Sequence, residues 1–179
     1  YGLPDLRWSL PTAAGTASPA PNSNGWNNTD VTVTFTGVDG LSGIDSCAAN
    51  VLLNTEGAGQ SATGACADLA GNVSAPATAS GINIDKTDPA LSLPANIVVE
   101  ATGASGAVVN YSASANDNLD PAPTFGCSPS SGATFPIGVT TISCAATDQA
   151  DNSSAGSFTV TVQDRSEERR VGKECRGAC

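Results

Sequence analysis

The segment VTVTFT, residues 31–36, decides the fold class because its apolar and polar side chains alternate strictly. Val31, Val33 and Phe35 fall on one face of an extended chain and three threonines on the other, which is the period of a strand with one buried face. The segment FTVTV, residues 158–162, shows the same alternation. Both segments therefore predict β-strands that bury one side.

Shorter strands are predicted at residues 97–101, 108–113 and 140–146, where β-branched and small apolar residues recur. Clusters of Gly, Asn, Asp, Pro and Ser, such as residues 21–24 and 117–121, separate them and supply turns. No window has the 3.6-residue periodicity of an amphipathic helix. We therefore expect an all-β protein built as sandwiches of short strands.

The composition argues against several classes of function. The 179 residues include no His and 4% aromatic residues, with 7 Lys and Arg against 17 Asp and Glu and a formal charge of −10. Without His there is no Ser-His-Asp or Cys-His catalytic group and no His-ligated metal, so we expect no enzyme activity. The shortage of basic residues argues against nucleic acid as a partner. No apolar run approaches the roughly 20 residues that span a bilayer, so we expect no membrane insertion.

The C-terminal segment differs in composition from the rest of the chain. Residues 165–179 carry 5 basic and 3 acidic side chains, whereas residues 1–164 carry 2 basic and 14 acidic ones, a formal charge of −12. The run RSEERRVGKECR, residues 165–176, resembles the translation of a common sequencing-library adapter. That resemblance implies a non-native or disordered tail in which Cys175 and Cys179 have no structural role. A charged, solvated extension or a short helix is the alternative.

The four remaining cysteines follow an internal repeat. Cys66 precedes the turn-like sequence DLAGN and Cys144 precedes DQADN, and each module holds one cysteine pair. The pairs are Cys47 with Cys66 and Cys127 with Cys144. Their spacings, 18 and 16 intervening residues, do not form the close CxxC-like pairs of a zinc site. We therefore predict two disulfides, each contributing roughly 3 kcal/mol, and hence an oxidising compartment.

The repeat also sets the domain boundaries. The run IDKTDP ends one strand, and Pro89 prevents its continuation. We place the first domain at residues 17–88 and the second at residues 89–164. Residues 1–16 match neither module and are interpreted as an N-terminal remnant, so we expect the sequence to be a fragment of a larger modular protein.

Two family resemblances cover these modules. The first resembles bacterial immunoglobulin-like repeats, through GWNN at 25–28, VDGLSGI at 38–44, TEGAGQS at 55–61, AGN at 70–72 and IDKTDP at 84–89. The second resembles the hyalin repeat, or HYR domain, through LPANIVVEAT at 93–102, NDNLDP at 116–121, FPIGVTTISCAATD at 135–148 and FTVTVQD at 158–164. It departs from that family at Asp151, where the turn usually has Gly and Asp fits at some cost. The resemblances imply two tandem immunoglobulin-like β-sandwich domains.

The same resemblances imply an extracellular or cell-surface protein that acts in adhesion or as a structural spacer. Its partners are then neighbouring repeats of the same chain, with a cell-surface protein or a glycan as a further candidate. The alternative is a carbohydrate-binding accessory module of a secreted hydrolase, which needs two or three coplanar Trp or Tyr side chains on its surface. The aromatic candidates are Tyr1, Trp8, Trp26 and Tyr111. Tyr111 alternates with Val109 into the predicted core, so Trp8 beside Trp26 would be needed.

Acidic residues in predicted turns form the one chemically suggestive group. Loops converge at the ends of a sandwich, and carboxylate oxygens there are the ligands that Ca²⁺ prefers. The candidate calcium ligands are Asp39, Asp68, Asp85, Asp88, Asp117, Asp120 and Asp148. Asp also occupies turns because it hydrogen-bonds its own backbone, which is the structural alternative. A glycosidase pair of carboxylates is disfavoured because the sequence lacks aromatic residues to line a cleft. We expect no cofactor besides this calcium candidate.

Overall fold

The computed structural model describes residues 9–164, which form strands and connecting segments without any helix. No described segment therefore offers a helix long and apolar enough to cross a membrane. The strands are β1 (Thr12–Ser18), β2 (Trp26–Asn27), β3 (Val31–Val38), β4 (Ile44–Cys47), β5 (Val51–Leu53), β6 (Gly57–Gly64), β7 (Cys66–Asp68), β8 (Ala77–Ile84), β9 (Ala90–Ser92), β10 (Ile97–Glu100), β11 (Ala107–Val108), β12 (Ser114–Asn116), β13 (Thr124–Ser128), β14 (Thr134–Phe135), β15 (Gly138–Thr147) and β16 (Ser153–Gln163). The predicted all-β fold is confirmed.

Two compact units divide the described chain. Unit 1 consists of residues 9–87 and 149–152, and unit 2 consists of residues 88–148 and 153–164. Strands β1 to β8 belong to unit 1 and strands β9 to β16 to unit 2. Each unit has its own hydrophobic core.

Unit 1 contains two three-stranded sheets and one two-stranded sheet. In the first sheet β3 lies between β1 and β5, and both pairs are antiparallel. In the second sheet β8 lies between β2, which runs parallel to it, and β6, which runs antiparallel. The small sheet pairs β4 with β7. The core of unit 1 lies between the inner faces of the two larger sheets, which is a sandwich arrangement.

The core of unit 1 is built on the alternating segment of β3. Val31, Val33 and Phe35 are buried, as the alternation predicts, and they pack with Ile82 and Ile84 from β8 of the facing sheet. Many of the surrounding residues are Ala or Gly, so the single Phe supplies much of the volume of this core.

Phe35 fills space that a glycine leaves open. A Cβ atom added at Gly64 of β6 would lie 2.7 Å from ring atoms of Phe35 and 2.8 Å from the Cβ of Ala48. Such distances are shorter than carbon–carbon contacts allow. The backbone of β6 can approach the aromatic ring because position 64 has no side chain.

Unit 2 is built around a four-stranded sheet. Its strand order is β10, β16, β15, β13, in which β10 runs parallel to β16 and the other pairs are antiparallel. Two small sheets pair β11 with β14 and β9 with β12. Ile142 of β15 and Phe158, Val160 and Val162 of β16 are buried together with Phe135 of β14. The strands predicted at residues 140–146 and 158–162 are confirmed.

The strand predicted at residues 108–113 is wrong beyond Val108. Residues 109–113 do not continue β11. The N–H of Val109 donates to the carbonyl of Ala133 at 3.2 Å, and the N–H of Tyr111 donates to the Ser131 hydroxyl at 2.9 Å. The backbone of Ala133 and the side chain of Ser131 thus take the place of the neighbouring strand that the pattern assumed.

The N-terminal remnant predicted at residues 1–16 overlaps a strand of unit 1. β1 pairs with β3 along its whole length, from Thr12 opposite Val38 to Ser18 opposite Thr32. Its sequence TAAGTAS alternates only between small residues, so its buried face lacks the large apolar residues that mark a strand. Residues 1–8 and the predicted tail at residues 165–179 lie outside the described residues.

Candidate functional site: disulfides and acidic loops

Both predicted disulfides are present. Cys47 and Cys66 lie opposite each other on β4 and β7 and are bonded across the pair, with Cα atoms 3.9 Å apart. Cys127 and Cys144 hold the same relation on β13 and β15, with Cα atoms 4.0 Å apart. In each unit the second cysteine is almost fully buried and the first is half-buried. The disulfides therefore join neighbouring strands at the edge of each core.

The loop after β3 is organised by Asp39. One carboxylate oxygen, Oδ2, accepts hydrogen bonds from the N–H groups of Leu41, Ser42 and Gly43 at 3.2, 2.6 and 3.0 Å. The Ser42 hydroxyl donates to the same oxygen at 2.9 Å, and the Ser9 hydroxyl donates to Oδ1 at 2.9 Å. Asp39 therefore holds the loop in one conformation through its own backbone.

These bonds shift the acidity of Asp39. Desolvation by burial acts to raise its pKa, but the hydrogen bonds from Ser42, Ser9 and Gly43 outweigh it and lower the pKa from 3.8 to about 2. Every one of these donors favours the charged carboxylate over the acid. Asp39 is therefore ionised at any pH above about 3 to 4, and its charge is used to fix the loop.

Asp68 organises the loop after β7 in the same way. Its Oδ1 accepts the N–H of Asn72 and its Oδ2 accepts the Asn72 side-chain amide, both at 2.7 Å. Desolvation acts to raise the pKa of Asp68, and the bonds from Asn72, with further ones from Ser42 and Ala70, lower it overall. The DLAGN sequence is thus an Asp-anchored turn, and Asp68 itself is only 2% exposed.

The two loops of unit 1 are bonded to each other. The Leu69 N–H donates to the Gly43 carbonyl at 3.0 Å. The Asn72 amide donates to the Ser9 carbonyl at 3.0 Å, while the Ser9 hydroxyl bonds Asp39. Ser9 and Ser42 are hydrogen-bond partners of Asp39 that the sequence did not predict, because a serine next to a turn carries no distinctive pattern. The structure brings Asp39 and Asp68 together in one hydrogen-bonded loop pair.

The loop pair carries exposed apolar side chains. We call this group the loop surface, and it consists of Leu10, Val38, Leu41, Leu69 and Val73, each more than half exposed. Leu41 lies in the Asp39 loop, and Leu69 and Val73 lie at the Asp68 turn. A Cβ atom added at Gly43 would lie 3.8 Å from a methyl of Leu69, so the two loops are adjacent at this point. Rigid loops thus present apolar groups to solvent.

Two further acidic candidates, Asp85 of unit 1 and Asp88 of unit 2, differ in exposure. Asp85 is 2% exposed and its Oδ1 accepts the N–H of Thr87 at 3.2 Å. Asp88, the first residue of unit 2, is exposed. Neither position is part of the loop pair.

In unit 2 the structure brings Asp117 and Asp148 together. Carboxylate oxygens of the two side chains lie within 4.8 Å of each other. Oδ1 of Asp117 accepts the N–H groups of Leu119 and Asp120 at 2.9 and 2.8 Å, and Oδ1 of Asp120 accepts the N–H of Ala122 at 3.0 Å. Asp120 and Asp148 are each 5% exposed. These oxygens are of the type that a hard cation binds, and calcium binding stays a prediction.

Aromatic side chains do not form an exposed row in residues 9–164, where each is buried or half-buried. Trp26 is half-buried in unit 1. Tyr111 packs against the core of unit 2, and the centroids of its ring and the Phe158 ring lie 5.0 Å apart in an edge-to-face contact. Trp8, the proposed neighbour of Trp26, lies outside the described residues.

The turn before β16 shows the conformation that its sequence implied. Asp151 has a φ of 68°, in the left-handed region that favours glycine. The Asp at this position therefore adopts the turn conformation that glycine favours.

Comparison with known proteins gives a match to a protein-family model and a similarity to a solved structure. No protein with a curated description matches this chain. Among solved structures, the chain is similar to the fibronectin(III)-like modules of Clostridium thermocellum CbhA, with 14% identity, a TM-score of 0.36, and coverage of 84% of this chain and 94% of that one. Residues 84–162, which include β9 to β15 and nearly all of β16, match the model of the HYR domain family.

Proposed function

We propose that the chain is an extracellular structural or adhesion module of a larger secreted or surface protein. The HYR match over residues 84–162 supports this role. The disulfide in each unit supports an oxidising location, because such bonds persist outside the reducing cytosol. In this role the units position or join other parts of a protein rather than carry out a reaction.

The loop surface of unit 1 is the observation that carries a contact function. Leu41, Leu69 and Val73 are exposed in the loop pair, and Val38 at the end of β3 and Leu10 before β1 are exposed beside it. Clusters of this kind mark protein contact sites more often than isolated exposed residues do. The hydrogen bonds of Asp39 and Asp68 fix both loops before any partner arrives. A rigid apolar surface loses little conformational entropy on binding, which favours affinity.

The charge of the chain selects the kind of partner. In residues 9–164 Lys86 is the one basic side chain, and its ammonium bonds Asp30 at 2.8 Å. An acidic body repels polyanions and anionic membranes. We therefore propose a protein partner on a cell surface or in a neighbouring repeat, reached through the loop surface.

A bead-binding assay tests the proposal. Beads coated with the chain are expected to attach to cells or to purified neighbouring repeats in a saturable way, and soluble chain is expected to compete. Leu41→Ser with Leu69→Ser is expected to abolish attachment without lowering the melting temperature, because both side chains are exposed. Leu52→Ser is the matched control, since Leu52 is equally exposed but lies on β5, away from the loop surface.

Two outcomes would overturn the contact role. Attachment that survives the double substitution would place the contact elsewhere. Saturable binding to an insoluble polysaccharide, with a change in Trp26 fluorescence, would favour the carbohydrate-binding accessory module instead.

A further inference from the structure

We propose that the parallel β10–β16 pair of unit 2 is a mechanical clamp that resists stretching of the chain; this rests on the proposed structural role. Unit 2 begins at residue 88 and its described part ends at residue 164. From the N-terminal side the short strand β9, which forms three residue pairs with β12, comes first and β10 follows it, while β16 is the last strand. Tension on a chain that joins modules therefore acts on β16 from one side and, beyond the short β9–β12 pair, on β10 from the other.

The direction of the strands determines how tension acts on them. β10 and β16 are parallel, with Ile97 opposite Val160 and Glu100 opposite Gln163. Tension pulls β10 from its N-terminal end and β16 from its C-terminal end, and in a parallel pair these ends lie at opposite ends of the ladder. The two strands are then forced to slide past each other. All hydrogen bonds between them bear the load at once instead of breaking one after another.

Further bonds extend the ladder at both ends. The Ala101 N–H donates to the Gln163 carbonyl at 2.8 Å, immediately after β10. The Thr159 N–H donates to the side-chain oxygen of Asn96 at 3.0 Å, immediately before β10. Inward-facing Ile97 and Val99 pack against the core of unit 2, so sliding of β10 also exposes apolar surface.

The disulfide lies outside the clamp. Cys127 and Cys144 join β13 and β15, on the far side of the sheet from β10. Once the clamp breaks, this bond keeps the chain between the two cysteines from extending. In unit 2 the hydrogen bonds between β10 and β16 thus resist the start of unfolding, and the disulfide limits how far the unfolded unit can extend.

The test pulls on unit 2 within the full chain. Handles are attached through clickable residues at positions 88 and 164, which load the clamp in shear, or at 137 and 164, which unzip β15 from β16. Gly138 pairs with Val162, so the ends of β15 and β16 lie side by side and their bonds break in sequence. We expect a clearly higher rupture force from 88 and 164. Equal forces from both pairs of handles would overturn the proposal.

Proline substitutions locate the resistance. Peptide N–H groups alternate in direction along a strand, so Val99 points its N–H towards β16 as Ala101 does, and Val98 points its own to the open edge of the sheet. Val99→Pro, pulled from 88 and 164, is expected to unfold about 3- to 10-fold faster at fixed force from the loss of one hydrogen bond, and the lost packing of Val99 against the core adds to that effect. Val98→Pro, the matched control, is expected to leave the rate within about twofold of the unsubstituted chain.

A core variant separates mechanical from general stability. Val109 is buried in the same core but lies outside the ladder. Val109→Ala is expected to lower the melting temperature with little change in rupture force. An equal loss of rupture force in Val109→Ala and Val99→Pro would show that force only follows stability, and would overturn the clamp. The bead-binding assay tests the contact function separately, so the clamp and the contact function can each be overturned without the other.

Discussion

Removal of the Cys127–Cys144 disulfide tests how far unit 2 depends on a covalent link between neighbouring strands. The bond closes a loop with a sequence separation of 17. For a loop of that length the loss of unfolded-state entropy stabilises the folded state by about 3 kcal/mol at 25 °C. Because a small domain has a total stability of about 5 to 10 kcal/mol, we expect Cys127→Ala with Cys144→Ala to remove about 30 to 60% of the stability of unit 2.

The assay is urea unfolding followed by circular dichroism and by tryptophan fluorescence. Both tryptophans precede unit 2 in the sequence, so the Trp26 signal reports unit 1 and serves as an internal control. With a urea dependence of about 1 to 2 kcal/mol per molar, the unit 2 midpoint is expected to fall by about 2 M. The unit 1 transition is expected to stay in place.

Reduced wild-type protein separates the link from the packing in unit 2. Because reduction also opens Cys47–Cys66, the unit 1 transition is expected to shift in this measurement and only the unit 2 midpoints are compared. The reduced protein keeps both sulfur atoms of unit 2, whereas the double alanine variant also leaves a small cavity at Cys144, which is 2% exposed. Reduction alone is therefore expected to cause most of the 3 kcal/mol loss. A loss below about 1 kcal/mol on reduction, with a large loss in the variant, would refute the entropic reasoning.

Further predictions concern the loops and one tight turn. Asp39 has a pKa of about 2 in the folded protein against 3.8 for the free group, so its contribution to stability is complete above about pH 4 and is lost as the pH falls towards 2. In the wild-type protein the urea midpoint of unit 1 is therefore expected to fall between about pH 4 and pH 2, and in Asp39→Asn this fall is expected to be smaller. Gly106 has a φ of 101°, and a Cβ there would lie 1.8 Å from the Phe135 carbonyl oxygen, whereas Gly103 has open space; Gly106→Ala is expected to cost more than about 2 kcal/mol of unfolding free energy and Gly103→Ala less than about 0.5. Millimolar Ca²⁺ is expected to raise the melting temperature of unit 2 relative to chelator, and Asp117→Asn is expected to remove the difference; an unchanged melting temperature would rule out calcium binding.

The sequence predicted those strands whose buried face carries large apolar residues. β3 and β16 followed from Val and Phe at alternate positions, and the cysteine pairs followed from one pair in each repeat. β1 was missed because Thr12–Ser18 carries only Ala and Gly towards the core, and its place depends on pairing with β3. Such pairing between distant segments is not encoded in the local pattern of either one.

The candidate site was predicted in part for the same reason. Acidic turn residues were recognised from composition, and Asp39 and Asp68 do lie in one loop pair. The sequence offered hydrogen bonding to the loop backbone only as the alternative to calcium binding. It could not identify all the donors, because one of them, Ser9, lies 30 residues before Asp39. The exposed loop surface has no sequence signature, since isolated Leu residues in loops resemble buried ones until the fold is known.

The contact between Phe35 and Gly64 has a consequence for how related sequences can diverge. The two positions share one volume, since a Cβ atom at Gly64 would lie 2.7 Å from the Phe35 ring. A side chain can arise at position 64 only where residue 35 becomes smaller. A larger residue at position 64 alone overpacks the core, and a smaller residue at position 35 alone leaves a cavity. Homologous repeats are therefore expected to show opposite changes of side-chain size at these two sites. Few sequences are expected to carry a large residue at both sites or a small residue at both sites.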